Sequence, residues 1–286
     1  MPHRPPLVLA DGLAVITGAA AGLGQATAEA LARRGCHLAL ADRDAAGLAE
    51  TARRAAAVGV PASVHVLDVA DQAAAGALPE QVAAAHRRPV TVLLNNAGVA
   101  LAGTFQEMAL DDFRWVVEIN FLAQVTLTKA FLPGLLRAGQ AQIVNVSSIF
   151  GLIAPAAQTA YAASKFAVRG FSEALRHELE ATPVGVTVVH PGGVRTNIAL
   201  HARVAAGADP EQARRQAAAF TAQLRLTPAA AAAAIVRATE RRAGRLLIGR
   251  DAQLLAALQS WLPVRYWAVI KRLFLRPDGS LRGEQA

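Results

Sequence analysis

The sequence predicts an α/β fold: one Rossmann-like domain on a doubly wound, seven-stranded parallel sheet. Three observations predict it. Seven short apolar runs recur along the chain, separated by helical stretches of roughly 12 to 25 residues. Most of the runs are apolar at consecutive rather than alternate positions, as strands covered on both faces must be. The first run ends in a glycine-rich turn that leads directly into a helical stretch.

Each strand is bounded by residues that stop a helix or open a turn. LAVITG (13–18) closes on Gly18, and the helix after it runs to Arg33, Arg34 and Gly35, where the guanidinium groups complement the helix's negative end. CHLALAD (36–42) comes next. ASVHVLD (62–68) follows Arg53, Arg54 and Gly59, and VTVLLNN (90–96) follows Arg87, Arg88 and Pro89. AQIVNVSS (141–148), GVTVVHP (185–191) and RLLIG (245–249) complete the set, the last after Arg241, Arg242 and Gly244. No composition shift, linker or internal repeat divides the chain, so residues 1–250 read as one domain. Two segments depart from the alternation. Residues 197–226, rich in Ala, Arg and Gln, are longer than a simple connection needs. The extension 251–286 opens with DAQLLAALQSWLPVRYWAVIKRLFLR, which reads as two short amphipathic helices split at Pro263.

Composition excludes several classes. At 286 residues and 29.8 kDa the chain can bury one large core. Hydrophobic residues make up 53%, but many are alanine, and the charge-free run 138–164 contains Asn145, Ser147, Ser148, Gly151, Pro155 and Gln158. It reads as strand, turn and helix start, not as a membrane span. The apolar run at 7–10 is too short for a secretory signal, and the single cysteine, Cys36, excludes an intrachain disulfide. Both readings point to the cytoplasm, with Cys36 a small buried residue. A formal charge of +8 and a pI near 10.8 raise the question of nucleic acid. The arginines, however, fall in scattered pairs without interleaved aromatics, so dispersed surface charge is the reading and no nucleic-acid partner is expected. No ligand-spaced cluster occurs among the seven histidines, and no metal is expected.

The chemistry is concentrated where strands end, because ligands of such sheets lie beyond the strands' carboxyl ends. TGAAAGLG (17–24) places Gly18, Gly22, Leu23 and Gly24 between strand and helix. Glycines let the backbone approach a pyrophosphate, and a helix start offers free N–H groups. Asp42 ends the second strand, 24 residues after Gly18, where a carboxylate can accept from a ribose hydroxyl. Asp68 and Val69 end the third strand and NNAG (95–98) the fourth. A second concentration is SIFGLIAPAAQTAYAASK (148–165). The chain has 26 arginines but only three lysines and two tyrosines, and Tyr161 and Lys165 stand four residues apart on one helix face. Bringing a phenol from about 10 to neutrality takes roughly 4 kcal/mol. An ammonium about 4 Å away at an effective dielectric of about 20 supplies that amount. The pair therefore forms a proton donor and acceptor, and Ser148, thirteen residues before the tyrosine, is a hydroxyl able to polarise a carbonyl oxygen. Its neighbour Ser147 points to the opposite strand face.

In order and spacing these motifs resemble those of the short-chain dehydrogenase/reductase family, in its compact branch, over about residues 10 to 250. They are TGAAAGLG, NNAG, Asn120, the serine thirteen before the tyrosine, YAASK as YxxxK, and PGGVRT (191–196). The resemblance implies an NAD(P)-dependent enzyme moving a hydride between nicotinamide C4 and an alcohol or ketone. In it Tyr161 would be the acid/base, Ser148 the polarising hydroxyl, Lys165 the group that lowers the tyrosine pKa and binds the nicotinamide ribose, and Asn120 the residue that fixes a water in a proton relay. It further implies that Asp68 and Val69 flank the adenine, that Asn95, Ala97 and Gly98 support the adenosine side, and that Pro191, Gly192, Val194 and Thr196 border the nicotinamide. NAD is favoured over NADP, because Asp42 would repel a 2′-phosphate and Ala21 stands where many NADP-using relatives carry a basic residue. Arg43 argues the other way, as a guanidinium able to pair with that phosphate. A homodimer or homotetramer is expected.

By the same resemblance the excursion 197–226, with Phe220, covers the substrate, and Phe150, Ile153 and Gln158 are further candidates to line its pocket. Their apolar character predicts a hydrophobic secondary alcohol or ketone. In the extension, Trp261, Tyr266, Trp267, Ile270 and Phe274 form an apolar stripe beside Arg265, Lys271, Arg272 and Arg276. The stripe predicts packing on the domain or on a second subunit, with peripheral adsorption to an anionic membrane as the alternative. Two rival functions share the fold: an extended-branch epimerase or dehydratase, against which the glycine spacing counts, and a non-enzymatic binding protein.

Overall fold

Consecutive apolar positions put hydrophobic side chains on both faces of a strand, so each strand needs cover above and below. The computed structural model, which describes residues 4–274, supplies that cover. The chain runs β1 (Leu13–Thr17), α1 (Gly22–Ala32), β2 (His37–Asp42), α2 (Ala45–Ala56), β3 (Ala62–Val66), α3 (Gln72–Ala85), β4 (Val90–Asn95) and a short β5 (Leu101–Ala102). It continues through α4 (Leu110–Val117), α5 (Ala123–Arg137), β6 (Ala141–Val146), α6 (Thr159–Glu178), β7 (Val184–Pro191), a short β8 (Arg203–Val204), α7 (Pro210–Gln223) and α8 (Pro228–Glu240). Last come β9 (Arg245–Ile248), α9 (Arg250–Trp261) and α10 (Tyr266–Phe274). The seven expected strands form one parallel sheet in the order β3-β2-β1-β4-β6-β7-β9. Strand order reverses between β1 and β4, the switch point at which a doubly wound sheet opens a crevice.

Successive residues of β1 divide between the two cores. Ala14 and Ile16 pack with Leu31 of α1, Leu48 of α2 and Ile235 of α8, while Leu13 and Val15 pack with Leu78 of α3, Leu127 and Phe131 of α5 and Leu175 of α6. Cys36 lies in the first core, as expected, and burial pushes its thiol up to about 12, which leaves it unreactive. A buried polar chain crosses the second face. Asn95 Nδ2 donates to Thr128 Oγ1 (3.1 Å) and to Asn145 Oδ1 (2.9 Å), and Asn145 Nδ2 donates to Ser172 Oγ (2.9 Å). It ties β4 and β6 to α5 and α6 just below the sheet's carboxyl edge.

Two features near that edge were not expected. β5 and β8 pair as a small parallel ladder, Leu101 with Arg203 and Ala102 with Val204, which fastens the 197–226 excursion to the segment after β4. Between α4 and α5 the helix passes through a π-turn, Glu118–Leu122, that contains Asn120. By length and composition the continuous helix 110–137 could cross a membrane, yet its buried face, including Leu127, Phe131 and Leu135, packs on the sheet. The extension forms the two expected helices with Pro263 between them. Residues beyond 274, including Arg276, lie outside the described part.

Replacing Asn145 by Ala removes both the acceptor for Asn95 and the donor to Ser172 inside the core. Leaving such groups unpaired costs about 2 to 4 kcal/mol. Urea unfolding should show a loss of that size, and a change below about 0.5 kcal/mol would mean that the chain of amides does not hold the edge together.

Candidate active site

The glycine turn after β1 is shaped for close approach. Gly18 has φ +65° and Gly22 has φ +57°, conformations that favour glycine, and a Cβ on Gly24 would overlap the Gly18 carbonyl. The first turns of α2, α3, α7 and α8 are capped by Asp44, Asp71, Asp209 and Thr227, whereas α1, like α4, α6 and α9, has no capping side chain, its N-cap being Ala21. Its first N–H groups, those of Gly22, Leu23 and Gly24, therefore face the crevice as donors for an anion. Asp42 at the end of β2 braces the turn: one carboxylate oxygen accepts from Ala20 N (3.1 Å) and the other from Asp44 N (3.1 Å). Arg43 beside it is exposed. Asp68 is exposed and Val69 is buried at the foot of α3. On the opposite wall Thr196 faces Gly22, since a Cβ there would lie 3.5 Å from its methyl group, and Pro191, Gly192 and Val194 follow from the end of β7. An uncapped helix start, a Cβ-free turn and a carboxylate at the adjacent strand end fit a dinucleotide.

Asn95 departs from expectation. It is wholly buried and its amide is engaged by Thr128 and Asn145, so it supports the edge from below and cannot contact a ligand. The polar work at the edge falls to its neighbour Asn96, whose Nδ2 donates to the carbonyls of Thr17 (3.0 Å) and Gly18 (3.1 Å). Thr17 Oγ1 in turn accepts from the backbone of Asn96 and Ala97 (both 3.1 Å). The alternation of side chains at the end of β4 sends the two asparagines to opposite faces.

Ser148, Tyr161 and Lys165 come together beyond the ends of β6 and β7. Ser148 Oγ accepts from Phe150 N (3.1 Å), which leaves the hydroxyl proton free to donate, and the Tyr161 phenol is its neighbour. Ser147, the rival serine, is buried and donates to the Lys165 carbonyl (2.8 Å), a contact permitted because residue 151 is glycine. Lys165 Nζ donates to Val146 O (3.1 Å) and lies 5.6 Å from the centre of the Tyr161 ring. Gly98 separates that ammonium from Asn120, since a Cβ on it would stand 3.2 Å from Asn120 Oδ1 and 3.4 Å from Lys165 Nζ. The Asn120 side chain is fully engaged: Oδ1 accepts from Val99 N (2.8 Å), and Nδ2 donates to Val99 O (3.0 Å) and Ser164 Oγ (3.1 Å).

Two partners of the site carry no recognisable signal in sequence. His190 is buried at the end of β7, and its Nδ1 donates to the Ser148 carbonyl (2.9 Å). Burial pulls its pKa down to about 4, so the ring is neutral and fixed in one tautomer. Tyr266 of α10 accepts from Ala154 N (3.0 Å), and Ile270 packs with Ile149, Leu152 and Ile153. The loop between the serine and the tyrosine is thus backed by the C-terminal hairpin. Most of the apolar stripe read from the extension, namely Tyr266, Trp267 and Ile270, packs inward on this loop.

Burial dominates the electrostatics. It pushes the Tyr161 phenol above its ordinary value, against the hydrogen bond from Ser148, and pushes the Lys165 ammonium down to about 8. Each group alone resists charging. Together, phenolate and ammonium would stabilise one another, each offsetting part of the cost of charging the other.

Residues 12–207 match the family described as short chain dehydrogenase. Over 249 residues the chain is 42% identical to SadH of Mycobacterium tuberculosis, named as an oxidoreductase, covering 86% of this chain and 89% of that protein. A short-chain dehydrogenase/reductase of Burkholderia phymatum solved in complex with NAD superposes with a TM-score of 0.82 at 30% identity, over 90% of this chain and 95% of that one. A short-chain oxidoreductase from a metagenome, in complex with NADP, superposes with a TM-score of 0.62 at 35% identity, over 66% of this chain and 86% of that one.

The depressed Lys165 pKa has a definite sign in stability. Between about 8 and the ordinary 10.5 the unfolded chain binds more protons at this residue than the folded one, so its contribution to stability rises with pH in that window. Relative to Lys165→Met, the wild-type protein should gain on the order of 2 kcal/mol in unfolding free energy from pH 7 to pH 10. A difference independent of pH would show that the ammonium is not desolvated.

Proposed function

The chain belongs to the short-chain dehydrogenase/reductase family, and from that premise we propose that it interconverts an apolar secondary alcohol and its ketone, with Tyr161 as acid/base. It is an oxidoreductase of a family whose solved relatives hold NAD or NADP, and its dinucleotide site is the crevice over the glycine turn. When bound, the nicotinamide takes or gives a hydride at C4. The observation that carries the reading is the convergence of the Ser148 hydroxyl and the Tyr161 phenol, with the Lys165 ammonium behind the ring.

In the oxidising direction the Tyr161 phenolate takes the proton of the substrate hydroxyl as the carbinol C–H bond breaks with its electron pair, and the C=O double bond forms. In the reducing direction the phenol returns that proton to the carbonyl oxygen. Ser148 donates a hydrogen bond to the same oxygen, where charge develops in the transition state. Lys165, protonated, supplies the positive charge that makes the phenolate accessible in a site where burial opposes it. Because the Asn120 side chain is engaged by Val99 and Ser164, a proton relay through this residue would use its main-chain carbonyl, within the π-turn where the ordinary helical pairing is broken.

NAD is the preferred cofactor in this reading. The Asp42 carboxylate is fixed by two backbone N–H groups at the place where the adenosine ribose would lie, whereas Arg43 is exposed. The apolar substrate rests on Phe150, whose ring meets that of Tyr161 edge-on, and on Ile198, Leu200 and Phe220, which are solvent-exposed in the 197–226 excursion, whereas Ile153 is buried against the C-terminal hairpin.

Tyr161→Phe should lower kcat by at least about a thousandfold, the scale of general acid–base catalysis and above, while nicotinamide binding by fluorescence titration is unchanged. A Phe variant retaining a tenth of the activity would refute the acid/base assignment. Measured on one apolar ketone, kcat/KM with NADH should exceed that with NADPH by at least about tenfold; the reverse preference would show that Arg43 outweighs Asp42.

A further inference from the structure

The outer side of the C-terminal hairpin is apolar and faces solvent. In α9 the buried residues Ala252 and Ala256 lie on one face, and Leu254 and Trp261, seven residues apart, lie on the other. Leu254 is 71% exposed and Trp261 84% exposed, and Val264, in the turn to α10, is 88% exposed. Trp261 has the largest side chain among these exposed hydrophobics, and nothing in the described residues covers it. The turn is flanked by positive charge. Arg265 is exposed in the turn itself, and Lys271 and Arg272 are exposed on α10, which buries Ile270. The acidic residue of the described hairpin, Asp251, is at the far end of α9 from the turn, and its carboxylate accepts from Gly193 N (2.7 Å). An aromatic and aliphatic tip flanked by cations, with no carboxylate beside it among the described residues, has the charge pattern that an anionic lipid headgroup layer complements.

We propose that the α9–α10 turn is a peripheral membrane contact, with Trp261 and Val264 entering the interface of an anionic bilayer and Arg265, Lys271 and Arg272 engaging its phosphate headgroups. Tryptophan is suited to the role, because its ring is apolar while its N–H stays at headgroup level. Each basic side chain held near such a surface strengthens binding roughly fivefold. The contact does not depend on the hydride-transfer reading. Its position has a consequence for the enzyme all the same: the inner face of the same hairpin packs on residues 149–153, so the bilayer would lie about one helix diameter, ~10 Å, from the loop joining Ser148 to Tyr161.

The test is co-sedimentation of the full chain with vesicles of phosphatidylcholine and phosphatidylglycerol, against vesicles of phosphatidylcholine alone. Wild-type protein should sediment with the anionic vesicles and be released by salt. The double variant Trp261→Glu, Val264→Glu should bind at least tenfold more weakly, with nicotinamide binding unchanged as the control for folding. A second variant, Arg265→Gln, Lys271→Gln, Arg272→Gln, should lose the preference for anionic over neutral vesicles. Absence of binding by the wild-type chain, equal binding by wild type and the glutamate variant, or equal binding to both vesicle types would overturn the proposal. So would sedimentation-velocity data in which the glutamate variant differs from wild type only in its association state, because the turn would then be an interface between copies of this chain.

Discussion

A half-buried phenol and a buried ammonium, each costly to charge alone, stand side by side, and the site depends on that constraint. A phenol and an ammonium each lose the solvation that favours their charged forms, which is why Tyr161 moves up and Lys165 moves down in pKa. Brought together, a phenolate and an ammonium stabilise one another in a low-dielectric setting. Such a pair responds strongly to any further charge placed beside it. Cofactor binding can therefore govern the protonation state of the acid/base, provided the lysine cannot escape to solvent.

The surroundings hold it in place. Lys165 is anchored at both ends of its residue, its ammonium by the Val146 carbonyl and its own carbonyl by the Ser147 hydroxyl. Gly151 and Gly98 lack the Cβ atoms that would occupy the same space. Ser148 is fixed by Phe150 N through its hydroxyl and by His190 through its carbonyl, so the hydroxyl proton has one open direction. Beneath these residues, the chain Thr128–Asn95–Asn145–Ser172 joins two strands to two helices, so the strand ends that carry the site form one rigid edge. The C-terminal hairpin closes the remaining side through Tyr266 and Ile270.

Much of this was legible in the sequence, for identifiable physical reasons. Strands buried on both faces read as continuous apolar runs, and all seven fall within a residue or two of their predicted ends, since each run gives way to glycine, proline or polar residues. The turn at Gly18, Gly22 and Gly24 was legible because only glycine fits, and Tyr161 with Lys165 because i and i+4 are neighbours on any helix. Other features depend on contacts distant in sequence. Nothing local distinguishes Asn95, which faces the core, from Asn96, which faces the turn. The link from His190 to Ser148 spans 42 residues and that from Tyr266 to Ala154 spans 112, and neither has a periodicity. The stripe in the extension was visible as amphipathic, but which of its members pack inward was decided by the 149–154 loop. The π-turn at Asn120, whose side chain bonds to Val99 and Ser164, is not encoded by any helical pattern.

The coupling of the phenol to its charged neighbours can be observed directly, because the chain holds only two tyrosines, Tyr161 and Tyr266. The experiment is a pH titration of the 13Cζ resonances of tyrosine-labelled protein, alone and saturated with oxidised NAD, with Tyr161→Phe to assign them. Without cofactor the Tyr161 resonance should titrate above the ordinary phenol value, and with oxidised NAD at least about two units lower, while Tyr266 is unmoved. A Tyr161 resonance that titrates at the same pH in both states would contradict it.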